Sequence, residues 1–142
     1  MHTLKYIPLF ILLLSTSIFS QMPEAEIQRG LELGILEKYE KSLQLFDYYQ
    51  QKFPSDPAPH FFKASVLQSR MMDFETQRWR EQFMQELEIA AELSDSLRKK
   101  HPDNLDYAFY YGASLAYKSF QLSREQKYIA GIRLAAKAIR LA

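Results

Sequence analysis

The sequence predicts an all-α fold, an α-solenoid of about three antiparallel helical hairpins. Three observations carry that reading. Gly30, Ala64 and Gly112 are small residues, each with Leu three positions on (Leu33, Leu67, Leu115), and the first two stand 34 residues apart, the period of a helix–turn–helix repeat. Apolar side chains recur at helical spacing, as in Leu43, Phe46 and Tyr49, or Ile129, Ile132, Ala136 and Ile139. No segment shows the alternation of a half-buried strand. Paired helices of this kind bury their apolar faces by stacking, and a stack presents a surface rather than a reaction centre.

Six helices follow in order, at about 23–36, 39–53, 57–72, 74–100, 104–121 and 124–142. The first carries Gly30 and Leu33, and the second carries Tyr39, Ser42, Leu43 and Phe46 and closes at Phe53-Pro54. Pro54, Pro57 and Pro59 cluster with Ser55 and Asp56, and Pro102 precedes Asp103 and Asn104. Each cluster ends one helix and supplies N-cap residues for the next, since a short polar side chain satisfies the free amides of a first turn. Asp56 followed by Pro57 is a cap with proline at the first helical position. Between Pro59 and Pro102 there is no Gly or Pro, and a turn is read at Asp73; one long helix is the competing reading. The sixth helix is read as opening with Ser123-x-x-Gln126, a capping box.

Spacing adds to this. Ala64 to Gly112 is 48 residues, an excess of 14 over the first interval, and Gly112 to Tyr128 is 16 where Gly30 to Tyr39 is 9, an excess of 7. Seven residues are nearly two helical turns, with only about 20° of drift. The second and third hairpins are therefore expected to have lengthened helices that keep one face toward the core.

These residues resemble the tetratricopeptide repeat (TPR) family. Its second helices carry a large residue, a small one three on, an aromatic four further, and a proline at the exit. Tyr39, Ser42, Phe46 and Pro54 supply all four; Leu87, Ala90 and Pro102 supply three, with Ser94 where the aromatic stands; Tyr128, Gly131 and Ala135 begin a third. In the first helices the family's Gly falls at Gly30, Ala64 and Gly112, while its Trp position holds Glu26, His60 and Ala108. The resemblance spans units at about 23–54, 57–102 and 104–142 and is strongest over 27–54. It implies a groove lined by first helices that receives a protein or peptide. Carried over by position, the groove residues are Ile27, Leu31, Phe61, Ser65, Phe109, Ala113 and Tyr117. Lys and Asn, which some members use to clamp a terminal carboxylate, are absent from positions 27 and 31.

Residues 1–20 read as a signal peptide: Lys5, an apolar run from Ile7 to Leu14, then Ser15 to Ser20 as the cleavage zone. The run is about half the 20 residues that a membrane span needs. Cleavage after Ser20 leaves residues 21–142 with 17 of the 18 basic side chains against 17 acidic ones. That balance lacks the basic stripe that nucleic-acid binding requires. Without cysteine there is no disulfide, thiolate metal site, cysteine nucleophile or lipid-modified anchor. The expectation is an exported chain, periplasmic or secreted and not lipid-anchored.

Other features have bland readings. Asp56 and His60 stand at i, i+4 without a third metal ligand, so helix-end roles are favoured and no metal is expected. Arg98-Lys99-Lys100-His101 complements a helix C-terminus. Trp79, between Arg78 and Arg80, is expected to pack on the third helix. Glu86 and Glu88 read as surface carboxylates. The aromatics of the fifth helix, Tyr107 to Phe120, are read as core, with a glycan- or small-molecule-binding surface over 105–121 as the alternative. No nucleophile–base pair or phosphate loop is present, so neither catalysis nor a cofactor is expected. The apolar C-terminal helix lacks a polar cap, which leads to an expectation of self-association, or of a chain that is the N-terminal part of a larger envelope protein.

Overall fold

A computed structural model describes residues 21–140; the expected signal peptide at 1–20 lies outside them. Among the described residues the chain is all-helical: α1 (Glu24–Ile35), α2 (Tyr39–Lys52), α3 (Pro57–Asp73), α4 (Arg80–Lys100), α5 (Leu105–Arg124) and α6 (Tyr128–Ile139). Each helix packs on the next in sequence, and α3 also touches both α1 and α5. Residues 57–100 form two helices, separated by the turn at 74–79.

Two kinds of connection alternate. The proline clusters build the first kind, and they do so twice with the same geometry. Asp56 accepts from the Ala58 N–H at 3.0 Å and Asn104 from the Asp106 N–H at 3.0 Å, so both are N-caps. The residues that end the preceding helices, Phe53 and His101, share one backbone conformation (φ −130°, ψ 72° and φ −131°, ψ 68°).

The second kind closes α1, α3 and α5. Each ends in a residue with left-handed backbone: Glu37 (φ 57°), Glu75 (φ 47°) and Gln126 (φ 61°). The following N–H reaches back to a carbonyl five residues earlier, from Lys38 to Leu33 at 2.8 Å, Thr76 to Met71 at 2.9 Å and Lys127 to Leu122 at 2.9 Å. This is the Schellman stop, which satisfies carbonyls that a helix end leaves free. It overturns the capping box at Ser123-x-x-Gln126. Ser123 lies inside α5, its carbonyl accepting from the Gln126 N–H at 3.0 Å, and α6 begins at Tyr128 rather than 124.

Small residues set the helix crossings. In the first pair Ser42 Oγ donates to the Gly30 carbonyl at 2.6 Å, and in the third Ser119 Oγ donates to the Gly131 carbonyl at 2.7 Å. Glycine and serine have exchanged helices between the two pairs. Gly112 was expected to match Gly30, but a Cβ there would meet nothing nearer than the Ala138 carbonyl at 3.9 Å. Ser119, seven residues further along α5, occupies the tight position. The inserted heptad thus moves the crossing up the helix without rotating it.

The main core gathers Phe46, Leu67, Met71, Phe83, Leu87 and their neighbours from α1 to α4. A smaller one joins Ala91, Tyr111 and Leu115 to α6. The aromatics of α5 divide: Tyr107 and Tyr111 are buried, while Phe109 and Phe120 are exposed. Trp79 lies under the Arg70 guanidinium of α3, 4.0 Å from its ring centroid, which is the expected placement.

Candidate functional site

The odd-numbered helices place their N-terminal turns around a cavity of 520 Å³. Its apolar floor is Ile27 from α1, Phe62 from α3, and Phe109 and Tyr110 from α5. Phe109 and Tyr110 meet edge to face at 5.4 Å between centroids, and Tyr110 meets Phe62 the same way at 5.9 Å. Polar walls come from Glu24, Gln28, Asp56 and Asp106. These elements converge because the caps Asp56 and Asn104 start α3 and α5 with one linker geometry. The segment before α1 is tied in by the Met22 N–H, which donates to Asp56 Oδ2 at 2.6 Å.

Asp56 is buried, and burial pushes its carboxyl above the usual range despite the two amide donors that oppose the shift. Burial, reinforced by the charges of Asp56 and Asp106, drives the Tyr110 phenol far above its ordinary value. It stays protonated throughout the physiological range. A second hollow of 380 Å³ lies further along the same side, between α1 and α3, where Leu31, Ser65 and Ser69 face Tyr39 and Asp73.

The residues carried over by position are thus distributed. Ile27 and Phe109 line the first hollow, Leu31 and Ser65 the second. Phe61 is buried, its ring packed against Phe109 (5.8 Å), Tyr110 (5.7 Å) and Tyr117 (5.3 Å). Ala113 and Tyr117 pack against the same core. Sequence reasoning missed Phe62, Tyr110 and Asp106. One step along a helix is a rotation of about 100°, and it carries the open face from Phe61 to Phe62.

Inside the protein, α2, α3 and α4 share an ion cluster. Glu86 accepts from Lys63 Nζ at 2.8 Å, from Gln50 Nε2 at 2.8 Å and meets His60 Nδ1 at 2.6 Å; Lys63 also pairs with Asp47 at 2.7 Å. Glu86 is therefore buried, not a surface carboxylate, because its partners stand on the facing helices. Burial alone would lower the Lys63 ammonium and raise the Glu86 carboxyl. The ion pairs outweigh it in both, so Lys63 lies above its ordinary value and Glu86 below. A lysine held as ammonium offers no lone pair for nucleophilic attack. His60 turns to Glu86 rather than sharing a ligand set with Asp56, whose oxygens go to the Met22 and Ala58 amides. Among the described residues no three His, Asp or Glu side chains are placed to hold a metal.

Compared with protein-family models, curated proteins and solved structures, the chain has no match. No described helix is long and apolar enough to cross a membrane. The functional reading therefore rests on the chain's own geometry.

Proposed function

We propose that residues 21–142 form an exported helical-repeat module of TPR-like hairpins that holds a protein segment along the α1, α3 and α5 side. The observation that carries this is the lined cavity where three odd-numbered helices begin. Two further features support it. Packing of α3 on both α1 and α5 is the pattern of stacked hairpins, and Gly34 lets α1 approach Val66 of α3 closely, a Cβ there falling 3.3 Å from Val66 Cγ2. The cavity falls in the size range of binding pockets, and exposed Phe109 supplies the aromatic anchor common at interfaces.

The test is site-specific photo-crosslinking in envelope extract, with the crosslinker at Phe109, at Ile27, or at Gln82 on α4. Adducts of one protein from the first two sites and none from Gln82 are expected. Adducts from Gln82 alone would refute the assignment of the face. The glycan or small-molecule reading predicts instead a thermal shift with sugars or lipids and no protein adduct.

A second reading is favoured by α6. Ile129, Ile132 and Ile139 are exposed on one flank, Ile132 at 67 %. Counted from the Schellman turn, Ile132 matches Leu43, which is 9 % exposed beneath α3. The proposed occupant is α1 of a second copy. From Lys127 to Arg140 there are four basic side chains and no acidic one, whereas α1 holds Glu24, Glu26 and Glu32 against Arg29. Light scattering should show association that Ile132→Glu abolishes; a monomer at every concentration refutes it.

A further inference from the structure

We propose that the cavity at the start of α1, α3 and α5 takes a guanidinium group, the side chain of an arginine on the partner segment. This rests on the peptide-binding reading and names the chemistry of its occupant. Three carboxylates, Glu24, Asp56 and Asp106, line the cavity, and no cationic side chain does. The three helix ends work against them, since each N-terminus carries about half a positive charge. Three such ends, with the α-ammonium that cleavage after Ser20 would leave on Gln21, which also lines the cavity, offset about two and a half of three full negative charges, so the cavity stays weakly net negative.

Asp56 sharpens the point. It is buried, and its hydrogen-bond donors are the two amides of Met22 and Ala58. A carboxylate has about four acceptor positions, so two remain for a further donor. The floor selects among cations. Phe62, Phe109 and Tyr110 present aromatic surface, on which a planar guanidinium stacks while its N–H groups fork toward carboxylate. A compact ammonium fits such a floor less well, being more strongly hydrated. Inorganic cations would leave the rings unused.

Butylguanidinium chloride is the probe, titrated into the purified chain and followed by NMR, with butyramide and sodium butyrate as neutral and anionic controls. Shifts confined to the signals of Phe62, Phe109 and Tyr110 are expected, with a dissociation constant on the order of millimolar for so small a ligand. Asp106→Asn and Phe109→Ala alter exposed side chains, so both variants should fold, and each should weaken binding about fivefold. Butyrate binding as well as butylguanidinium, or no response in the aromatic signals, would overturn the assignment. A protein adduct at Phe109 without a butylguanidinium response overturns the cation assignment alone. The converse, a response without any adduct, overturns the peptide reading and leaves a site for a small organic cation.

Discussion

Gly30→Ala and Gly112→Ala are the same chemical change in two helices, and the structure assigns them opposite signs. In a helix interior, alanine is favoured over glycine by about 1 kcal/mol. At Gly112 nothing opposes that gain, because the nearest atom to the new Cβ lies at 3.9 Å. At Gly30 the Cβ would sit 2.4 Å from Phe46 Cζ and 2.7 Å from Cε2. Carbon atoms rest about 3.5–4.0 Å apart, so the Phe46 ring must recede by more than about 1 Å. It has no room, being wholly buried in the main core. Overpacking of this kind costs about 1–3 kcal/mol, which exceeds the helix gain. Gly30→Ala should therefore lose about 1 kcal/mol on balance and Gly112→Ala should gain about 1 kcal/mol. Urea unfolding followed by circular dichroism at 222 nm measures both, as midpoint shifts at constant slope. Phe46→Leu combined with Gly30→Ala should recover part of the loss, since the shorter side chain clears the new methyl. Equal signs for the two single variants would refute the argument that Ser119, rather than Gly112, marks the tight crossing of the third pair.

Gln126→Gly, at a left-handed position where glycine has no steric penalty, should stabilise the protein by about 0.5–1 kcal/mol in the same assay; a loss would argue against the turn. Lys63→Met strips the buried carboxylate of Glu86 of its ammonium and should cost about 3 kcal/mol, read by thermal unfolding; a loss under about 1 kcal/mol would mean the cluster is solvated. Hydrogen bonding from Arg80, with help from Gln121 and Lys127, holds the Glu125 carboxyl at about 2 against its ordinary 4.5. The folded value is the lower one, so its stabilisation is complete above about pH 4.5 and fades as pH falls toward 2. Arg80 and Glu125 are 32 % and 18 % exposed, and solvent screening limits the contribution to about 1 kcal/mol. Glu125→Gln should lose that amount at pH 7 and nothing at pH 2, a difference that unfolding curves at the two pH values would detect.

Helix content, the proline linkers and the caps Asp56 and Asn104 were legible in the sequence because each depends on a few adjacent residues. The extra heptad of α5 was legible too, as arithmetic on the spacing, whereas α6 is no longer than α1 and the 14 extra residues of the second interval are shared among α3, the turn at 74–79 and α4. The Schellman turns were not. Glu37, Glu75 and Gln126 occupy conformations that glycine or asparagine normally announces, and at Ser123-x-x-Gln126 a false N-cap signal covered a true helix stop. Glu86 was hidden for another reason. Nothing within its own helix distinguishes it from Glu88, and its burial follows from Lys63, His60 and Gln50, all on other helices. The cavity lay between these cases: Ile27 and Phe109 were legible by position, but Asp106 and Tyr110 acquire meaning only when α1 and α3 begin beside them.

The two ends of the helix stack are not held equally. At the Schellman end, turns are cross-tied between neighbouring pairs. Arg80 grips Glu125 through two hydrogen bonds, Gln121 donates to Gln77 at 2.8 Å, and Tyr39 bonds Asp73. At the linker end, the odd helices instead surround the cavity, and the ties there come from the short segment before α1, the Met22 amide on Asp56 and Gln21 on Tyr107. An array tied more densely along one edge is expected to open first along the other, at the mouth between Glu24, Asp56 and Asp106. A bound cation would draw that mouth together, so occupancy would be felt as stiffness along the whole array.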